Sequence, residues 1–309
     1  MKKIAIAIPT YNRNDLLVRL IKSIPGDISV FVSDNGSYVT PEIETQFNNL
    51  KVHKHSKVIS IFENWNSALA AVNNCDYLAI PSDDDLYISD QFKTIQAVID
   101  NNDADVFVFG NNFINENDQV TGSFCPDKLE VFESPNGFRK FRFGVDVRMP
   151  SVFFKKSFLD EIGYFDGKLF TLTAADSELV QRALLTGKVM FVPEIVSSYR
   201  MWSGNLTDQR IASAHWMREV DAWTNKISSL ALVRLNDVIY SSFNWKQYKD
   251  EIYARNLLAG MSNLYKAKKY DELMTHFKTM RYPKHALLKT KLRILKHLVV
   301  CSVKRIYAN

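Results

Sequence analysis

Apolar residues in the first hundred positions switch between two spacings, and the alternation predicts an architecture. Lys3-Ile-Ala-Ile-Ala-Ile8 is a continuous β-rich run ending at Pro9, and Asp15-Leu-Leu-Val-Arg-Leu-Ile-Lys-Ser-Ile24 then repeats apolar residues at helical spacing. Ile28-Ser-Val-Phe-Val-Ser33 reads as a second buried strand broken by Asp34-Asn35-Gly36-Ser37. Residues 63–72 read as a helix, and Tyr77-Leu-Ala-Ile-Pro81 as a third strand. The order β-α-β-α-β predicts an α/β domain with a mainly parallel sheet, helices on both faces, and ligands at the carboxyl ends of the strands. From about Ile211 only helical spacing persists. Trp216, Val220, Trp223, Ile227 and Leu230 form one stripe, and Leu288, Leu292, Leu295, Val299, Val303 and Ile306 form another. The expected division is an α/β domain over residues 1–209 and an α-helical region over 210–309.

Polar clusters stand where that topology gathers ligands. Asn12, Asp34 and the triplet Asp83-Asp84-Asp85 all follow strand ends. Three adjacent carboxylates repel one another, and a hard divalent cation such as Mg²⁺ or Mn²⁺ relieves that repulsion and draws a diphosphate into its coordination. Taken alone the triplet reads first as an acidic, solvated turn ahead of the helical run Gln91–Ile99. Three such clusters on one rim favour a ligand site. The chain has neither G-x-G-x-x-G nor G-x-x-x-x-G-K-[ST], which disfavours a dinucleotide oxidoreductase or a P-loop nucleotidase.

Composition adds little and charge adds more. With 46% apolar and 24% charged residues over 309 positions, the chain reads as an ordinary globular protein without linker or repeat. Cys75, Cys125 and Cys301 suit neither a disulfide framework nor a close-spaced zinc site. Met1-Lys2-Lys3 and the apolar run behind it resemble the start of a secretion signal, but Pro9 and the polar run behind it end the stretch early. No run reaches bilayer-spanning length, and a cytoplasmic location is expected. Residues 1–209 carry 20 Lys and Arg against 27 Asp and Glu, a balance of −7; residues 210–309 carry 19 against 7, a balance of +12. The C-terminal part is therefore expected to meet something anionic.

Five blocks carry a family resemblance: Ile6-Ala-Ile-Pro-Thr-Tyr-Asn-Arg13, Val32-Ser-Asp-Asn-Gly-Ser37, Ser82-Asp-Asp-Asp85, Ile162-Gly-Tyr-Phe-Asp166 and Ala175-Asp-Ser-Glu-Leu-Val-Gln-Arg182. In this order and spacing they resemble the signature of family-2 glycosyltransferases with the GT-A fold, over about residues 3–207. The resemblance implies a Rossmann-like GT-A domain that transfers a sugar, with inversion, from a nucleotide-diphosphate donor. The Ser-Asp-Asp-Asp block is similar to those of bacterial enzymes that build O-antigen, capsule or teichoic-acid glycans.

Carried over by residue, the resemblance implies that Pro9, Thr10 and Tyr11 border the nucleobase, Arg13 lies near the diphosphate, Asp34 accepts a hydrogen bond from the base, and Asp83 faces the ribose. Asp84 or Asp85 is implied as ligand of a divalent metal, Mn²⁺ or Mg²⁺. Asp85 is favoured as the closing member of an Asp-x-Asp pair, with Asp84 left open. Asp176 is the expected general base, at a position that also suits an N-cap for the helical run from Ser177 to Gly187. Arg148 and Arg200 are expected to contact the diphosphate or the acceptor, Arg200 within Ser198–Thr207. Phe124–Gly144 reads as an acceptor-facing loop. Two departures from the family pattern matter: Trp202 stands where many relatives carry His, which puts a third protein ligand for the metal in doubt, and Ala175 stands where many carry Glu.

The six histidines are scattered and receive no ligand role. Lys284, Lys289, Lys291, Arg293, Lys296, Lys304 and Arg305 surround the last apolar stripe, and no Asp or Glu follows Glu272. This basic amphipathic helix is expected either to rest on the inner face of the plasma membrane or to pack on its own domain or a second subunit. The partners expected are a nucleotide-sugar and a glycan or lipid-linked glycan acceptor. The alternatives are a glycan- or nucleotide-sugar-binding module without turnover, and a nucleic-acid binder suggested only by the basic tail.

Overall fold

The computed structural model describes residues 1–171, 174–202 and 210–308. These fall into two compact units. The first comprises Met1–Lys140, Val145–Thr171 and Arg182–Trp202, and the second residues 141–144, 174–181 and 210–308. The boundary expected at residue 209 lies outside the described residues.

As far as Arg200 the elements are β1 (Ile4–Thr10), α1 (Asn14–Lys22), β2 (Ser29–Asn35), α2 (Pro41–Gln46), β3 (Leu50–His55), α3 (Ile61–Ala71), β4 (Tyr77–Ala79), β5 (Leu86–Tyr87), α4 (Phe92–Asn101), β6 (Val106–Ile114), β7 (Val120–Phe124), β8 (Glu130–Phe132), α5 (Asn136–Phe141), β9 (Val152–Lys155), α6 (Lys156–Ile162), α7 (Ala174–Thr186) and β10 (Val189–Arg200). The sheet runs β3-β2-β1-β4-β9-β6-β10-β5, with β7 on β6 and β8 on β10. Every residue of β1 is buried, as an unbroken apolar strand requires when it lies inside a sheet. β1 pairs in parallel with both β2 and β4, and Thr10 stands opposite Asp34 in that register. Helix α1 buries Leu17, Leu20 and Ile21, three and four residues apart, and α3 opens with a capping box between Ser60 and Glu63.

Two features differ from the sequence expectation. β3 was not evident because it is an edge strand whose exposed residues include Lys51, His53 and Lys54, charge being the usual protection of an edge. The sheet is also mixed: β9 runs antiparallel between β4 and β6. Within the span 124–144, read as an acceptor-facing loop, β8 pairs with β10 and α5 follows it.

The second unit is helical, with α8 (Ala214–Arg234), α9 (Asp237–Ser241), α10 (Trp245–Lys266), α11 (Tyr270–Thr279) and α12 (Leu288–Ala308). Trp216, Val220, Trp223 and Ile227 on α8 are buried, as are Ile252, Leu257, Leu258 and Met261 on α10. Gly260 lies so close to the Ile211–Ala212 backbone that a Cβ there would sit 2.3 Å from the Ala212 methyl. Among the described residues no helix is long and apolar enough to cross a membrane.

Candidate active site

The turn after β1, the turn after β2 and the Ser82–Asp85 turn after β4 carry the polar residues singled out above. Asn12 leaves β1 with φ +52°, a left-handed step that turns the chain into α1. Arg13 takes the N-cap position of α1 but makes no side-chain capping bond. Its guanidinium instead reaches Asp83 at 3.3 Å and Asp84 at 3.0 Å, and stacks on the Trp202 ring at 5.0 Å. Thr10 Oγ1 donates to Asp83 at 2.8 Å, and the Tyr11 N–H points to the same oxygen at 3.4 Å. Asp83 is thereby fixed to the end of β1. Pro9 is buried within β1, opposite Ser33.

All three carboxylates of the triplet are buried, yet one half-exposed guanidinium is their only described cationic side-chain partner. Burial above all, with the charge of Asp84 adding to it, pushes Asp83 up to about 6 despite the pull of Arg13. Asp85 sits well above the usual carboxylate range for the same two reasons. Its oxygens accept N–H bonds from Ser82 at 2.9 Å and Arg200 at 3.2 Å, which staples the turn to β10. Asp84 differs in that its carboxylate meets only the movable side chain of Arg13 among the described hydrogen bonds. The cluster is under-neutralised and built of hard oxygen donors, which suits Mg²⁺ or Mn²⁺ completed by ligand oxygens. Among the described residues no three His, Cys, Asp or Glu side chains are arranged to hold an ion by themselves.

Above the second turn, Asp34 accepts the Tyr38 N–H at 3.0 Å and the Val39 N–H at 2.8 Å, shaping the loop that carries Tyr38. Tyr38 meets Tyr11 edge to face at 5.4 Å, and both rings are exposed. Gly36, at φ +97°, is required there: a Cβ would stand 2.8 Å from the Tyr38 ring and 3.2 Å from Val58. Beneath the loop, Ser33 donates to Asn64 at 2.8 Å, and Asn64 donates to the Thr10 carbonyl at 3.2 Å. His55 completes this network through Ser33 and Ser67, so it is a satisfied structural side chain.

The remaining expected residues divide. Arg200 is buried, with Nε donating to the Asp84 carbonyl and Nη1 to the Asn115 carbonyl, each at 2.8 Å, and an ion pair to Asp118 at 2.6 Å. Its donors tie the Asp84 turn to the β6–β7 hairpin. Residues 203–207 of the segment that includes it lie outside the described residues. Arg148 lies over Phe113 at 5.3 Å and Tyr199 at 5.2 Å and pairs with Asp146, leaving its guanidinium partly open to solvent. Asp176 is exposed, in the first turn of α7 in the second unit. The helix starts at Ala174, two residues before Asp176, which is therefore not the N-cap.

Sequence reasoning missed several supports. Asn66 both donates to and accepts from the Phe165 backbone, while Phe62 stacks on the Phe165 ring and Trp65 meets it edge-on. Arg182 donates to the carbonyls of Ile162, Gly163 and Tyr164, holding the Gly-Tyr-Phe-Asp loop. The available signal was the polar run Glu63-Asn-Trp-Asn66 on a helix that otherwise faces the core.

Residues 5–159 match the model of glycosyl transferase family 2, half of the chain, and the chain belongs to that family. Among solved structures it resembles S. aureus TarS 1–349 in complex with UDP-GlcNAc, at 15% identity and a TM-score of 0.64 over 99% of this chain and 92% of that one. The same TarS fragment in complex with UDP aligns at 14% identity and a TM-score of 0.54 with equal coverage. None of the curated protein sequences matches significantly. The protein is thus a family-2 glycosyltransferase of GT-A-like fold with a helical C-terminal region.

Proposed function

We propose that the protein is an inverting, metal-assisted glycosyltransferase that moves a hexosyl or deoxyhexosyl group from a nucleotide-diphosphate donor to a hydroxyl of a bacterial cell-envelope glycan, free or lipid-linked. The observation that carries this reading is the under-neutralised carboxylate cluster at Asp83–Asp85, set beside Arg13 at the carboxyl ends of the strands. In this reading the nucleobase lies against Tyr11 and Tyr38 over the Pro9–Thr10 strand end. Asp34 holds that loop and offers its remaining lone pairs, and Asp83 faces the ribose. A divalent cation, when bound, offsets the charge of the departing diphosphate. Asp84 and Asp85 are its proposed ligands, and the Asp84 carboxylate, whose one described hydrogen bond is to the Arg13 side chain, is the proposed principal one. Arg13, beside Asp83 and Asp84, would contact the diphosphate. Arg148 is the proposed acceptor-side cation.

Inversion requires the acceptor oxygen to attack the anomeric carbon from the face opposite the leaving group. Its proton passes to the Asp176 carboxylate as the new C–O bond forms, and the nucleoside diphosphate leaves with the electron pair of the broken bond. The TarS complexes support uridine nucleotides as the first donors to test. The deciding experiment is a thermal-shift panel of UDP, GDP, TDP and CDP with and without Mn²⁺. One nucleotide should raise the midpoint only in the presence of the cation, and flat curves for all four would reject the donor reading. The runner-up, a binding module without turnover, requires the same shift but no sugar transfer to any acceptor.

A further inference from the structure

Helix α12 is amphipathic twice over. One face packs: Thr290, Ile294 and Cys301 are buried. Glu251 of α10 fixes that face by accepting the Leu287 N–H at 2.9 Å and the Thr290 hydroxyl at 2.7 Å, and Asp250 accepts the His285 N–H at 2.7 Å. At about 100° per residue, the positions diametrically opposite are 288, 292, 295, 299 and 303. They hold Leu288, Leu292, Leu295, Val299 and Val303, each between 47% and 68% exposed. The apolar stripe, for which both membrane contact and packing on protein were open, thus faces outward at these five positions, while a different set of residues seats the helix.

Such a stripe has a cost in water, and its surroundings indicate what relieves that cost. Lys291 borders one side, Lys289 and Lys296 the other, and all are partly or fully exposed. After Glu272 the chain carries nine basic residues and no acidic one. A second copy of the helix would bring two lysine-edged rims together, and a nucleic acid would find aliphatic rather than stacking side chains along the centre. An anionic bilayer complements both parts, with hydrocarbon below the stripe and lipid phosphates beside the lysines.

We propose that the outer face of α12 is a docking surface for an anionic lipid bilayer, lying in the plane of the headgroup layer. This rests on α12 alone and not on the reading of the active site. The test is co-sedimentation of the full chain with vesicles of phosphatidylcholine, pure or mixed with phosphatidylglycerol. Partition onto the mixed vesicles should be about tenfold or more stronger than onto the neutral ones and should fall as salt is raised. Leu292→Ser with Leu295→Ser should reduce that binding about tenfold, with an unchanged melting temperature and unchanged UDP binding, because both side chains are exposed. Lys289→Gln with Lys296→Gln should remove the preference for anionic lipid. A chain that stays in the supernatant with anionic vesicles overturns the proposal. So does a concentration-dependent dimer that the two serine substitutions disperse, which would put a second copy on the stripe.

Discussion

Both units bury carboxylates, and the two sets are treated in opposite ways. In the helical unit, Asp250 accepts Arg281 at 2.5 Å and the His285 N–H, while Glu251 accepts Arg255 at 2.8 Å, the Thr290 hydroxyl and the Leu287 N–H. Every oxygen of that pair has a donor. At the rim of the sheet, two of three buried carboxylates, Asp83 and Asp84, share one half-exposed arginine, the third, Asp85, is met by backbone N–H groups, and burial holds Asp83 and Asp85 in the direction of their neutral forms. The satisfied pair nails α12 in place. The triplet's oxygens are met mainly by neutral O–H and N–H donors, with a guanidinium reaching only Asp83 and Asp84, and a buried acid short of countercharge is a candidate for function rather than for support alone.

Substitutions can break the contrast, and the largest effect is expected outside both sets. Asp176→Asn should lower the rate of sugar transfer by about 10²–10⁴-fold while leaving nucleotide affinity within about twofold. A variant that still transfers at the parental rate removes Asp176 as the base. Glu251→Ala should destabilise the helical unit by about 2–4 kcal/mol, read from urea unfolding, because it leaves a buried hydroxyl and a backbone N–H without an acceptor. Nucleotide binding should persist in conditions where that variant is folded. Asp84→Asn should do the reverse: loss of the half-exposed Arg13 pair and relief of repulsion nearly cancel, so stability should change by less than about 1 kcal/mol. A large loss of stability there would make the triplet structural after all. The smallest effect is expected for Trp202→Ala, which removes a half-exposed stacking contact worth about 0.5–1 kcal/mol and should shift donor KM by about two- to fivefold with kcat unchanged.

How much of this was legible in the sequence follows from what each signal measures. Continuous apolar runs exposed β1 and β2 because strands buried in a sheet must be apolar throughout, whereas β3 hid behind Lys51, His53 and Lys54. The acidic triplet announced itself by composition. Which of its members is held by backbone N–H groups did not, since those of Ser82 and Arg200 reach Asp85, the second of them from over a hundred residues away in the chain. Arg200 illustrates the same gap: the Asp84 and Asn115 carbonyls that hold its guanidinium are distant in the chain and cannot be read from its own block. The stripe on α12 was found by periodicity, but periodicity cannot say which face is inside, and the packed face proved to be that of Thr290, Ile294 and Cys301.

The central claim is that the rim carboxylates bind a cation that in turn holds the donor diphosphate. Calorimetric titration of UDP into the protein, with Mn²⁺ and with chelator, on the parent chain and on Asp84→Asn with Asp85→Asn, tests it most directly. Binding should be present in the parent with Mn²⁺ and weaker by about tenfold or more in both the chelator and the double variant. Equal affinity in all of these conditions would contradict the claim.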